Sequence, residues 1–167
     1  MKKVILLFIC VLVSSLAAQE MPKHKGSRAL EKIKALSGTW EGEMDHGEGP
    51  KKIQVIYRVT GGGSAVVETL FPGSPMEMVT MYHDLKDTLV MTHYCMLGNQ
   101  PQMRLTKSSD KQVSMELMEK STITKNEAHM HALTIDFVDD DHIKHTWTSY
   151  REGKAEKDVV FELSREK

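Results

Sequence analysis

From residue 39 to the end, the chain alternates apolar and polar positions in short runs. Helical spacing is confined to the stretch before it, where Ala29, Ile33 and Leu36 share one face, Ser27 offers an N-cap, and Ser37-Gly38 supplies a stop. Strand periodicity then recurs in ten segments: 39–44, 53–60, 64–70, 77–84, 88–96, 102–108, 112–119, 128–137, 142–150 and 158–165. Each is bounded by turn residues, among them Gly61-Gly62-Gly63, Asp84-Leu85-Lys86-Asp87, Ser108-Ser109-Asp110-Lys111, Asp139-Asp140-Asp141 and Arg151-Glu152-Gly153. No connection is long enough for a helical crossover, so a parallel sheet is not expected. Short strands in hairpin order behind one helix predict an all-β fold, an antiparallel up-and-down barrel of about ten strands with the helix plugging one end. An open sandwich is the alternative.

Residues 1–18 carry a different pattern. Lys2 and Lys3 precede an apolar run from Val4 to Val13, and Ser15-Leu16-Ala17-Ala18 follows with small residues, which is the layout of a cleavable export signal. The run is shorter than the roughly 20 apolar residues a membrane span needs. Residues 19–26 read as a flexible polar leader, and residues 27–167 as the barrel domain. Loss of Lys2 and Lys3 leaves 20 of the 22 basic residues against 23 acidic ones, so the net charge moves from −1 to −3. With no basic stripe, a nucleic-acid partner is not expected. Cys10 lies in the signal, so Cys95 is the one cysteine of the mature chain, and the core must hold without an internal disulfide.

Alternation assigns faces. Trp40, Gly42 and Met44 point one way on the first strand, and Val159, Phe161, Leu163 and Arg165 share the apolar face of the last. An arginine there needs a partner, and stacking on the Trp40 indole supplies one. The hairpin spanning 76–96 concentrates aromatic, histidine and methionine side chains. A turn at Leu85-Lys86 pairs Tyr82 with Leu89, Thr80 with Met91 and Met78 with His93. It also puts Met78, Thr80, Tyr82, Leu89, Met91, His93 and Cys95 on one face, which is favoured as the inner one. If Gly61-Gly62-Gly63 forms a three-residue hairpin, Arg58 lies opposite Val66 and is a diagonal neighbour of Glu68, as an ion pair or as a clamp for a polar ligand head.

The short helix leading into Gly38-Thr39-Trp40, read with Arg165, resembles the lipocalin-like or calycin barrel. The blocks Glu77-Met78-Val79-Thr80-Met81-Tyr82-His83, Thr92-His93-Tyr94-Cys95 and Gly98-Asn99-Gln100-Pro101 resemble an uncharacterised bacterial family of exported proteins with lipocalin-like domains. The Gly61-Gly62-Gly63 turn and Val67-Glu68-Thr69 fit it as well. That family has arginine after the proline, where this chain has Gln102, with Arg104 nearby. The resemblance implies a fold and export, and no activity.

The chemistry on offer is incomplete. His93 and Cys95 stand two apart on one face, the spacing of a thiolate and its activating imidazole, but a lone cysteine in a β-core is ordinarily a small apolar filler. His129 and His131 read as a solvent-facing pair, two ligands where a metal centre needs three or four. No resident cofactor is expected. The alternative is a haem- or metal-binding barrel of the nitrobindin kind, with His145 in the position of the iron ligand. With no complete catalytic constellation, binding of a small apolar or amphipathic molecule inside the barrel is the leading expectation. Glu68, His93, Tyr94, Cys95, Asn99, Gln100 and Met103 are its candidate contacts, and Trp40 and Arg165 its structural pair. Met44, Met78, Met91 and Met103 suit an adaptable pocket and equally a filled core, in which case the barrel is structural and partners dock outside.

Overall fold

The computed structural model describes residues 24–45, 50–124 and 126–167. The export signal and most of the leader therefore lie outside the described residues. The elements are α1 (Arg28–Ala35), β1 (Gly38–Asp45), β2 (Pro50–Thr60), β3 (Ala65–Leu70), β4 (Met78–Leu85), β5 (Thr88–Tyr94), β6 (Gln102–Ser109), β7 (Gln112–Leu117), β8 (His129–Phe137), β9 (His142–Arg151), the two-residue β10 (Lys154–Ala155) and β11 (Val159–Arg165). Every pairing is antiparallel; β11 lies between β9 and β1, and β8 pairs with β9. The sheet therefore closes on itself as a ten-strand meander, with β10 a short extension of β9.

The turns after β2, β4, β6 and β8 sit at one end, and α1 covers that end. Ser27 caps the helix through Oγ, which accepts from Leu30 N at 3.2 Å. The Ser27 N–H and hydroxyl donate to the Asp84 carboxylate at 2.6 and 2.8 Å, pinning the helix start to the β4–β5 turn. His24 N donates to Gly62 O at 2.9 Å, and Lys34 Nζ to His24 O at 2.8 Å, so the described part of the leader is tied down. Ala29, Leu30, Ile33 and Leu36 are buried; removing each large aliphatic from water contributes roughly 1.5–3 kcal/mol.

Trp40 is fully buried, with the Arg165 guanidinium 4.3 Å from its ring centre. Arg165 also donates to Ala35 O at 3.1 Å and Ser37 O at 2.9 Å, taking up carbonyls that the end of α1 leaves free. One side chain thus joins the last strand, the first strand and the helix. Arg165→Ala is expected to lower stability by roughly 2 kcal/mol, read as a Tm fall of about 4–8 °C. Arg165→Lys restores charge without the planar fork and should recover only part of it. Unchanged melting of both variants would refute this joint.

Two turns differ from expectation. Lys86 and Asp87, with φ of 50° and 62°, form the two-residue turn after β4, so the register is Asp84 with Leu89, Tyr82 with Met91 and Thr80 with His93. The slip from the expected pairing is two residues, so the faces are unchanged. After β2 the loop is Gly61 to Ser64, which pairs Thr60 with Ala65 and Arg58 with Val67. That slip is one residue, and it reverses a face. Arg58 is exposed while Glu68 is fully buried, so the expected Arg58–Glu68 pair does not form.

Candidate functional site

One row of polar side chains crosses the inner wall in register: Tyr57 on β2, Glu68 on β3, Thr80 on β4 and His93 on β5. Tyr82, two residues further along β4, and His145, on β9, complete the group. Tyr57 Oη lies 2.8 Å from Glu68 Oε1 and Tyr82 Oη 2.8 Å from Oε2. Thr80 stands directly opposite Glu68 across the β3–β4 ladder. His145 Nε2 is 2.8 Å from Tyr57 Oη, and His93 Nδ1 is 2.9 Å from Thr80 Oγ1. All six residues are essentially inaccessible.

Proton counting orders this network. Two phenol hydroxyls donate to Glu68, which accepts as a carboxylate; burial raises its pKa and the neighbouring hydroxyls of Tyr82, Tyr57 and Thr80 pull it back. The Tyr57 hydroxyl gives its one proton to Glu68, so the His145 imidazole must donate to Tyr57. His145 then carries its proton on Nε2. His145 Nδ1, buried without a partner and 3.7 Å from Glu68 Oε1, is left as a bare lone pair. The opposite tautomer would bury an orphan N–H, the rarer and costlier outcome. Desolvation lowers the pKa of His145 to about 3 and that of His93 to about 4, so both are neutral.

Away from the helix, the barrel ends at the loops after β1, β3, β5, β7 and β9. Leu70, Met78, His93, Met130, Trp147, Val159 and Phe161 surround a small depression there. Its void is about 20 Å³, room for about one water. His93 packs against Trp147 with ring centres 4.7 Å apart. Phe71, at φ 53° at the start of the β3–β4 loop, lays its edge on Phe161 at 5.9 Å. Below this mouth the interior is filled, with Met91, Met103, Met115, Leu133 and Ile135 inaccessible. A larger open groove of about 690 Å³ runs outside, between β1–β2 and the β3–β4 loop, lined by Met44, Ile53, Phe71 and Met76 beside Glu43 and Lys52.

The expected contacts divide. Glu68, His93, Cys95 and Met103 point inward, and Met103 is packing deep in the barrel. Tyr94 is 52 % exposed and faces out, as alternation with His93 and Cys95 requires. Asn99 is buried and donates to Glu127 Oε1 and Ala128 O, both at 2.8 Å, which ties the β5–β6 turn to the β7–β8 loop; its Oδ1 is unpartnered. Gln100 is exposed and reaches only Gly98 O, at 3.4 Å. Burial raises the Cys95 thiol pKa, against partial relief from the Leu97 and Met96 N–H groups, and no hydrogen bond joins it to His93. The thiol is not activated. Tyr57, Thr80 and Tyr82 were not among the candidate contacts; an aromatic hydroxyl in an alternating strand gives no sign of which buried carboxylate it will meet.

Of the histidine pair, His129 is buried and His131 is half-buried, stacked on Tyr150 at 3.9 Å, and the register with β9 shifts beside them between Met130 and Ala132. His129 Nδ1 donates to Glu127 O at 2.7 Å, so its Nε2 accepts from His131 Nδ1 at 3.1 Å. Among the described residues no three His, Cys, Asp or Glu side chains form a metal-holding group. His145 does not fit a haem iron in this interior. Its Nε2 is committed to Tyr57, its Nδ1 faces Glu68, and the side chain is fully buried.

The fold defines the class, an all-β lipocalin-like barrel. No protein-family model matches the sequence, and no curated protein does. Among solved structures the chain is similar to Rv2717c from M. tuberculosis, with a TM-score of 0.52 and 15 % identity over 86 % of this chain and 100 % of that one. At that identity the likeness concerns the fold. No helix among the described residues is long and apolar enough to cross a membrane.

Proposed function

We propose that this is an exported binding barrel that takes a small amphipathic molecule at its open mouth. The observation that carries the reading is the asymmetry of the two ends. One is plugged by α1 and cross-tied by Asp84 and Arg165; at the other, among the described residues, apolar side chains surround a depression whose one polar lining residue is His93. An apolar wall with one placed polar residue is the composition of a ligand site. The void is far below the roughly 300 Å³ such sites occupy, so binding requires Met78, Met130 and Phe71 to swing aside. Thioether chains re-pack readily, and the Phe71 backbone is already in a sparsely populated conformation. Met76, Met96 and Leu97, exposed on the neighbouring loops, give an apolar approach. Export rests on the pattern of residues 1–18 and on the resemblance of the Thr-His-Tyr-Cys and Gly-Asn-Gln-Pro blocks to an exported bacterial family.

Native mass spectrometry of the mature chain, purified without detergent from its own host, tests this. The expected result is an added mass of a few hundred daltons that is lost on denaturation. Trp147 lines the mouth, and its fluorescence should shift when the adduct is stripped. A bare chain whose emission ignores added long-chain amphiphiles would instead make the barrel a filled scaffold.

A further inference from the structure

Most of the room for a ligand lies outside the barrel. The depression at the mouth has about 20 Å³, whereas the groove between β1–β2 and the β3–β4 loop has about 690 Å³, within the roughly 300–1,000 Å³ that ligand sites occupy. Phe71 is the partition between the two spaces. Its ring lines the groove and lays its edge on Phe161, which lines the depression; Phe161 is in turn the ladder partner of Met44 in the groove. The far wall is held in shape by the loop itself, where Gly73 N donates to Glu77 Oε2 at 2.6 Å and Ser74 Oγ to Phe71 O at 2.8 Å. Two opposite charges border this apolar trough. Glu43 and Lys52 are register partners across the β1–β2 ladder, both exposed, and neither side chain has an ion pair or hydrogen bond among the described residues. The other charged groups of the lining are engaged: Glu41 accepts from Gln54 Nε2 at 3.5 Å, and Lys51 has an interaction of its own.

We infer that the body of the ligand lies in this groove and that the ligand is a single-chain zwitterionic amphiphile. This rests on the binding reading above and moves most of the contact from the mouth to the outer wall. The chain covers Met44, Ile53, Pro72 and Met76, and its end reaches the depression once the Phe71 ring turns. The head spans Glu43 and Lys52, its cationic part on the carboxylate and its anionic part on the ammonium. A singly charged head gains one partner and meets one like charge; an uncharged head gains neither. Both side chains are exposed, so each charge contact adds little. The chain therefore supplies most of the affinity through the apolar area it covers, and the head sets the preference.

Methyl NMR on the mature protein, labelled at its methionine methyl groups, tests the placement with decylphosphocholine kept below its micellar concentration. Met44 and Met76 report the groove, and Met78 and Met130 the mouth; single leucine substitutions assign the signals. Met44 and Met76 are expected to shift along the binding curve. Calorimetry then compares decyl maltoside, equal in chain length but with an uncharged head. The zwitterion is expected to bind about threefold tighter or more, the scale of two exposed charge contacts. A Glu43→Gln, Lys52→Gln double variant should erase the difference, with melting as the check on its fold. Shifts confined to Met78 and Met130, or a preference absent from the parent or kept by the folded double variant, overturn the inference and leave the binding reading standing. No shift at any of the four methionines with either amphiphile overturns both.

Discussion

Gly42→Val is expected to open the seam of the barrel. Gly42 sits in β1 between Leu163 of β11 and Ile53 of β2. A Cβ there would stand 2.0 Å from the Glu162 carbonyl oxygen, with Leu163 Cδ2 at 3.0 Å. The first clash is with backbone, so no rotamer change relieves it, and β11 must move away from β1. That contact closes the sheet and seats Arg165 over Trp40. Overpacking ordinarily costs 1–3 kcal/mol; with the closing pair disturbed, about 3 kcal/mol or more is expected, a Tm fall of roughly 6–12 °C or beyond. Gly42→Ala should do most of the damage, because the clash begins at Cβ. An alanine variant melting with the parent would mean that the strands do not approach so closely, and glycine would then be present for some other reason.

How far the sequence could be read depended on parity. Strand faces survive any even slip, so the expected Leu85-Lys86 turn put the right residues inside although it mispaired β4 and β5 by two positions. The turn after β2 had no such protection. Three consecutive glycines are compatible with loops of several lengths, and the single extra residue, Ser64, separated Arg58 from Glu68 and delivered Tyr57 to the carboxylate instead. The Trp40–Arg165 contact was legible because both ends of the chain show clean alternation and an arginine on an apolar face has few ways to be satisfied. The bulge in β8 was not legible. Nothing in Met130-His131-Ala132 announces an inserted residue, and nothing in the alternation foretells that His129 is buried while His131, half-buried, stacks on Tyr150.

The same logic explains why Glu68 was noticed and its surroundings were not. A carboxylate among Val66, Val67 and Leu70 stands out in one dimension. Its partners come from three other strands, and His145 from the far side of the sequence, 88 residues from Tyr57. Only closure of the barrel brings them together. The network is hydrogen-bonded around Glu68, with His145 Nδ1 left unpartnered beside it, and it reaches the mouth of the barrel at His93.

Acid should destabilise this protein well above the range in which carboxylates titrate. His145 and His93 have folded pKa values lowered to about 3 and about 4 from the ordinary 6.5 of an exposed imidazole. A depressed imidazole pKa means the unfolded chain binds these protons first, so their neutral burial is fully tolerated above pH 6.5, and stability falls as pH drops from 6.5 toward 4 and then 3. Glu68 works against this near its own range: its pKa is raised above 4.5, so the native state takes up a proton earlier than the unfolded chain and recovers some stability there. With up to two protons taken up on unfolding, the slope near pH 5.5 should be about 2.5 kcal/mol per pH unit, less whatever Glu68 gives back. Urea unfolding at pH 7.5, 6.5, 5.5 and 5.0 measures it directly. His93→Gln removes one of the two protons and should roughly halve the slope, which a general loss of stability would not do. Constant stability from pH 7 to 5 would mean that the two imidazoles are solvated, and the buried row from His145 to His93 would have to be redrawn.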